Sequence, residues 1–224
     1  MGAMPRRNRV DPWGDLHATP ERGMFTGNRG CLVDDTEQVV RHHRGNLWIT
    51  CLTSYRGWRV DLARPSRWTP IFFLDEVVAL AAGHRPCGLC RRAAYESYRE
   101  AVGTAYARTC TAGVLNGLLA DERLRRGRGL DRAGDRRLWR ADAAGLPDGV
   151  VYVDEGVARV VRGGRSLAFG FSGWQRPGER PTGQVDVLTP PTSVAALAQG
   201  YEPGWHPSAA GPATRSPVPG SLDE

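Results

Sequence analysis

The chain has no lysine: all thirty of its basic residues are arginine. That skew fits the codon bias of a GC-rich genome as well as it fits phosphate recognition by guanidinium groups. No apolar run approaches the ~20 residues that a membrane-spanning helix needs, which argues against a membrane protein. The first thirty residues hold charges, prolines and glycines but no apolar core of the kind a secretory signal carries, so the expected compartment is cytoplasmic. Cysteine is scarce and odd in number, with five among 224 residues. An odd count in a reducing compartment argues against a disulfide framework and favours metal binding or redox chemistry.

What is present is an ordinary globular composition, 41% hydrophobic and 24% charged, in a chain long enough for one sizeable domain or two small ones. The net charge of +6 favours polyanionic partners without the density of a dedicated nucleic-acid packager. Residues 1–29, rich in turn formers, read as a flexible arm. From Cys31 the runs CLV, QVVRH, LWITCLT and WRVDL, separated by DDT, RGN and YRG, predict a β-meander, followed by a short strand IFF at 71–73. Leu74, Val77, Val78 and Ala81 then share one helical face, with Gly83 as the stop. RRAAYESYREAVGTAYART predicts an amphipathic helix, TAGVLNGLLADERLRR a second, and LDRAGDRRLWRADAAG a third that Gly134 interrupts. Strand patterning returns in VVYV, VARVV, SLAFGF and VDVL, with DEG and RGGR as turns.

The expected fold is α+β. An N-terminal β-meander and helix module spans 30–110, a helical segment 111–146, a second small strand/helix module 147–208, and a disordered tail 209–224. VVALAAGHRP (77–86) and VAALAQGYEP (194–203) align at a shift of 117 residues. The pair reads either as a degenerate duplication whose second copy has Gly204 and Pro207 in place of Cys87 and Cys90, or as two Ala-rich helices that each end in glycine.

The strongest chemical signal is GHRPCGLCRR at 83–92. A C-x2-C turn at a helix start brings two sulfurs together near unpaired backbone N–H groups, a favourable setting for thiolates on a metal. Zinc prefers four ligands, so Cys87 and Cys90 supply half a site. Cys51 is the expected third ligand. The fourth is Cys31, placed on the same face by the expected pairing of Cys31 with Val39 and Val39 with Cys51, or one of His42, His43 and His84. Cys110 reads as buried and inert.

The stretch IFFLDEVVALAAGHRPCGLCRR resembles the second half of the zinc-binding, methylphosphotriester-repair domain of the Ada family, where an aromatic pair, an Ala-rich helix, Gly-x-Arg-Pro and Cys-x2-Cys follow in the same order. The resemblance covers residues 71–92. It implies zinc on Cys87 and Cys90, with Arg85, Arg91 and Arg92 placed to meet a DNA phosphate. In that family a Cys-x3-Cys pair supplies the other two ligands, one of them the methyl acceptor; here Leu47 stands four residues before Cys51. FFLDE, ALAAGHRPC and LTPP together are also similar to chains from bacteria with GC-rich genomes.

Three functional readings follow. One is a zinc-binding, DNA-associated protein, supported by the knuckle and by DERLRRGRGLDRAGDRRLWR at 121–140, with eight arginines against four acids. The second is an enzyme acting on DNA, either a self-alkylating thiolate transferase or a metal-dependent hydrolase; its candidate acids are Asp34, Asp35, Glu37, Asp75 and Glu76, all equally explicable as turn or helix-cap residues. The third is a metal-stapled interaction module with Trp13, Trp174 and Trp205 as contacts.

Overall fold

The computed structural model describes residues 5–59 and 67–210. In chain order the first half contains β1 (Arg7–Val10), β2 (Leu16–Ala18), β3 (Phe25–Asn28), β4 (Ile49–Leu52), β5 (Ser54–Tyr55), β6 (Trp58–Arg59), β7 (Ile71–Phe73), α1 (Glu76–Ala81) and β8 (Arg85–Pro86). All but β5 and β6 join one mixed sheet in the order β2-β1-β7-β3-β4-β8. The apolar strand β7 is central, with Ile71 and Phe73 fully buried. It runs parallel to β1 and antiparallel to β3. Gly27 on β3 is required by close approach, because a Cβ there would stand 2.4 Å from the Phe73 ring.

This sheet corrects the expected meander. Segments 31–33 and 38–42 form no named strand; they meet at an isolated bridge between Val33 and Val39 and through bonds from Arg41 to the Leu32 and Cys31 carbonyls. The antiparallel partner of β4 is β3, with Thr26 opposite Cys51. Residues 7–28, read as a flexible arm, are three strands of the sheet. Their burial was hidden because Arg9, Asp11 and Thr26 occupy inward positions that a hydrophobic alternation would reserve for apolar residues. Of the strand expected at 58–62, Trp58–Arg59 form β6 and the rest lies outside the described residues.

Helix α1 is buried on every side, as an apolar helix enclosed by other elements must be. The Asp75 side chain accepts from the Val78 N–H at its start. At its end Gly83 takes φ +84° while the His84 N–H reaches back to the Ala79 carbonyl, a Schellman closure. Buried arginines complete that terminus: Arg136 donates to the Ala81 carbonyl and Arg123 to the Gly83 carbonyl, cations where the helix dipole is negative.

Next come α2 (Arg92–Ala105), α3 (Ala112–Arg123), β9 (Trp139–Asp142), β10 (Val151–Asp154), β11 (Val157–Arg162), β12 (Arg165–Ala168), β13 (Gln175–Glu179), β14 (Gln184–Val187) and α4 (Pro191–Ala198). The two helices expected after the C-x2-C turn are present. The third is not. Residues 139–142 form β9, with alternating burial and antiparallel pairing to β14, between short 3-10 turns at 133–135 and 143–145. Helical spacing in a run of arginines cannot be told from strand alternation when the apolar residues between 136 and 142 are Leu138, Trp139 and Ala141.

The second sheet runs β13-β12-β11-β10-β14-β9 and is antiparallel throughout. Its β10–β11 turn has Glu155 and Gly156 both at positive φ, as a two-residue hairpin requires. One core joins the two sheets, with Val10, Phe73, Val77 and Val78 packed among Val151, Val160, Leu167 and Leu188. A second core places Tyr98, Val102 and Leu115 of the helices against Val150, Tyr152, Val187 and Leu197. α4 ends as α1 does, with Gly200 at φ +87° and the Tyr201 N–H on the Ala196 carbonyl. The likeness of the two segments includes this turn; it does not extend to strand pairing, since β7 has a parallel neighbour and β14 has none. At the C-terminal end, residues 207–210 form a further 3-10 turn with Ala209 in the core, and the rest of the expected tail lies outside the described residues. No helix among the described residues is long and apolar enough to cross a membrane.

Candidate metal centre

Strands β4 and β8 pair in parallel with Thr50 opposite Pro86, and the Cys87 N–H extends the ladder to the Thr50 carbonyl at 2.9 Å. Cys51 and Cys87 are therefore neighbours across one strand pair, although 36 residues apart (87 − 51). Pro86 is tolerated because β8 is an edge strand, where a missing N–H costs no ladder bond. The tight turn after Cys87 returns Cys90 to the same place at the entrance of α2. The three sulfurs lie within 4.8 Å of one another. A tetrahedral zinc with bonds of about 2.3 Å holds its sulfurs about 3.8 Å apart, so the set closes on an ion with adjustments of about 1 Å or less.

The electrostatics favour one ionised sulfur even in the metal-free cluster. Cys87 is lowered to about 5, first by the hydrogen bond from the Cys51 thiol and then, against the cost of burial, by bonds from the Cys90 and Leu89 backbone N–H groups and from the Cys90 thiol. The Leu89 N–H donates to the Cys87 sulfur at 3.4 Å. Cys51 is pushed up, chiefly because its proton is the one shared with Cys87. Cys90 is raised by burial.

The fourth ligand expected from the sequence is absent from this group. Cys31 sits with Val33 and Val39, its thiol directed at the Val33 carbonyl at 3.5 Å. The ladder that was to carry it toward Cys51 does not form. His42, His43 and His84 belong to a different cluster around Trp48 and Arg29. Arg29 donates from Nε to His84 Nε2 and contacts His42 Nε2, both at 3.1 Å, and lies 4.2 Å over the Trp48 ring. Burial, then the neighbouring Arg29 charge, lowers His42 to about 2 and His43 to about 4, and drives His84 well down. Cys110 is buried among the helices, as expected.

The phosphate-facing arginines need correction. Arg85 is buried, donating from Nε to Asn116 Oδ1 at 2.9 Å and back to its neighbour's carbonyl, with its guanidinium over Tyr95. Arg91 makes a two-pronged ion pair with Glu76 and lies over Phe25. Only Arg92 is at the surface, and it pairs with Glu96 one helical turn on. A motif at 83–92 shows the donors but not their acceptors, which come from α1, α2 and α3. In the basic stretch 121–140, Arg123, Arg132 and Arg136 are likewise buried, while Arg125, Arg126, Arg128, Arg137 and Arg140 remain exposed.

Four of the five candidate acids are engaged structurally. Asp34 caps a turn at Thr36 and Gln38, and Glu37 pairs with Arg6. Asp75 also accepts from Trp174 Nε1 at 2.6 Å and the His206 N–H at 3.0 Å. Glu76 accepts from Tyr201 and the Gly204 N–H besides Arg91. Trp174 is thus a core residue, and Trp13 and Trp205 pack against the same core rather than standing free as contacts. The latch of Glu76 with Arg91 and Tyr201 was missed by sequence reasoning; its only sequence signal was two adjacent acids opening an apolar helix. Comparison with protein-family models, with curated proteins and with solved structures gives no match for this chain.

Proposed function

We propose that the protein is a zinc-binding protein whose ion is held by Cys51, Cys87 and Cys90. The observation that carries this reading is the convergence of three sulfurs from two paired strands and a helix entrance. Soft thiolates select zinc over the hard divalent ions, and a C-x2-C turn beside a helix N-terminus is a natural half-site. The ion would staple the edge strand β8 and the start of α2 to β4. The test is metal content of reduced, purified protein together with its Cys-to-Ser variants. About one zinc per chain is expected for the parent and for Cys31→Ser and Cys110→Ser, and a loss of affinity of about 10-fold or more for Cys51→Ser, Cys87→Ser or Cys90→Ser. A folded, reduced and zinc-free parent overturns the reading.

Association with nucleic acid is the second part of the proposal. With Arg85 and Arg91 committed inside the fold, it rests on the five exposed arginines between 125 and 140. Guanidinium contacts to phosphate release counterions, so affinity for duplex DNA should fall steeply with salt and weaken in an Arg125/Arg126/Arg128→Ala variant. Binding indifferent to salt, or to the triple substitution, removes this part and leaves the zinc.

A further inference from the structure

Resting on the zinc reading, we propose that Cys51, Cys87 and Cys90 form a peroxide-sensitive clasp: oxidation by a hydroperoxide joins Cys87 to one of the other two as a disulfide, leaves the third as a thiol and releases the ion. The chain has five cysteines and five histidines, all of them among the described residues. Every one outside the trio is held elsewhere. Cys31 and Cys110 are buried in separate apolar clusters, and His42, His43 and His84 gather around Arg29 and Trp48. His17 pairs with Asp11 at 2.8 Å, and His206 contacts Ser208 at 2.8 Å. Three sulfurs thus lie within 4.8 Å of one another with no fourth cysteine or histidine closing over them.

Two conditions of such a reaction, access for the oxidant and a second sulfur close at hand, are both met. Cys87 is only 7% exposed, whereas Cys51 and Cys90 are half-buried, so a small peroxide reaches the outer two first. Cys87 stands beside each of them. Across the parallel pair of β4 and β8 it neighbours Cys51 at the strand spacing of about 4.8 Å, inside the backbone range that a disulfide spans. It is joined to Cys90 by the C-x2-C turn, the spacing of redox-active dithiols. An outer thiolate attacks one peroxide oxygen, the O–O bond breaks, and the sulfur becomes a sulfenic acid as hydroxide leaves. The Cys87 thiolate then attacks that sulfur; the S–S bond forms, the S–O bond breaks and a second hydroxide leaves. Both hydroxides take protons from solvent, two electrons have passed from the sulfurs to the peroxide, and the metal stays divalent. One thiolate is too few to hold zinc, so the ion departs and the last sulfur takes a proton from solvent. An odd number of sulfurs also keeps a thiol beside the disulfide. Its attack on Cys87 moves the bond from one pair to the other. In the Cys87–Cys90 form β4 drops out of the clasp, and in the Cys51–Cys87 form the entrance of α2 does.

The test uses the full chain, reduced, loaded with zinc, freed of reductant and excess metal, and titrated with hydrogen peroxide while a chromogenic chelator reports free zinc. Release should be complete at about one peroxide per ion, with the intact mass lower by two hydrogens. Alkylation after denaturation should find Cys31, Cys110 and one of Cys51 or Cys90 still as thiols, and Cys87 oxidised in every molecule. A dithiol should restore both the mass and zinc binding. A Cys31→Ala/Cys110→Ala variant should release zinc as the parent does. Zinc retained in excess peroxide, zinc lost through sulfinic acid without a disulfide, a disulfide that omits Cys87 or reaches Cys31 or Cys110, or a link between chains overturns the inference and leaves the zinc reading standing. A reduced chain that takes up no zinc at the outset overturns the zinc reading itself, and this inference with it.

Discussion

Glu76 is a carboxylate with no exposed surface that accepts two hydrogen bonds from Arg91, one from Tyr201 and one from the Gly204 backbone. Removing one member of a buried pair leaves the other charge unsatisfied, so Glu76→Ala should destabilise the protein by about 3–5 kcal/mol in urea unfolding, and Glu76→Leu combined with Arg91→Met should recover most of that loss. Recovery in the double variant separates the pair from simple packing. The histidines make a second residue-scale prediction. His42 and His84 are buried with pKa values below the ordinary 6.5, so the unfolded chain binds protons that the folded chain refuses. Their contribution is present above pH 6.5 and is lost on acidification, at about 1.4 kcal/mol per pH unit for each group until the folded-state values are reached. Denaturant midpoints compared at pH 7.5 and 5.5 would contradict this if they coincide. At this scale the sequence was legible where chemistry is local. Cys87 and Cys90 announce themselves by spacing; Cys51 was expected as the third ligand, but the pairing expected for its strand does not form, and it comes beside Cys87 through the parallel edge strand β8. Arg91 was misassigned because its partner lies 15 residues earlier, across a turn, and nothing in RPCGLCRR points to it.

Among elements, the two helices that end in glycine offer a matched experiment. Both Gly83 and Gly200 hold positive φ, so alanine is strained at either. At Gly200 a Cβ would meet nothing within 4 Å, while at Gly83 it would stand 2.9 Å from Arg123 Cδ and 3.0 Å from its Cβ. Gly200→Ala should therefore cost about 1 kcal/mol and Gly83→Ala about twice that or more, read by thermal or urea unfolding. Equal costs would mean that the Arg123 side chain swings clear. Elements with strong local period were readable: α1, α2, α3 and the hairpins from β10 to β12 lie where apolar spacing and turn residues put them. Those defined by a distant partner were not. β9 is a strand because β14 pairs with it, and 31–42 is not a meander because β3 takes the place beside β4.

On the scale of the whole molecule, the strands near the N-terminus decide integrity. β1 lies between β2 and β7, and Val10 and Leu16 enter the core shared by both sheets. Deletion of residues 1–18 should abolish cooperative unfolding monitored by circular dichroism; a truncated chain that melts sharply at the parent temperature would restore the arm reading. Because the sheets share that core, the intact chain should unfold in one transition by both tryptophan fluorescence and far-ultraviolet signal. The cross-strand neighbourhood of Cys51 and Cys87 has one more consequence. An ion gripping both fastens shut the loop of chain between them, 36 residues from end to end (87 − 51), which the unfolded polymer would otherwise leave open. By the relation used for covalent cross-links, such a clasp denies the unfolded state about 4 kcal/mol of conformational freedom. On the proposed zinc reading, removing the ion should loosen β8 and the first turn of α2 ahead of the rest, as amide exchange that quickens there first.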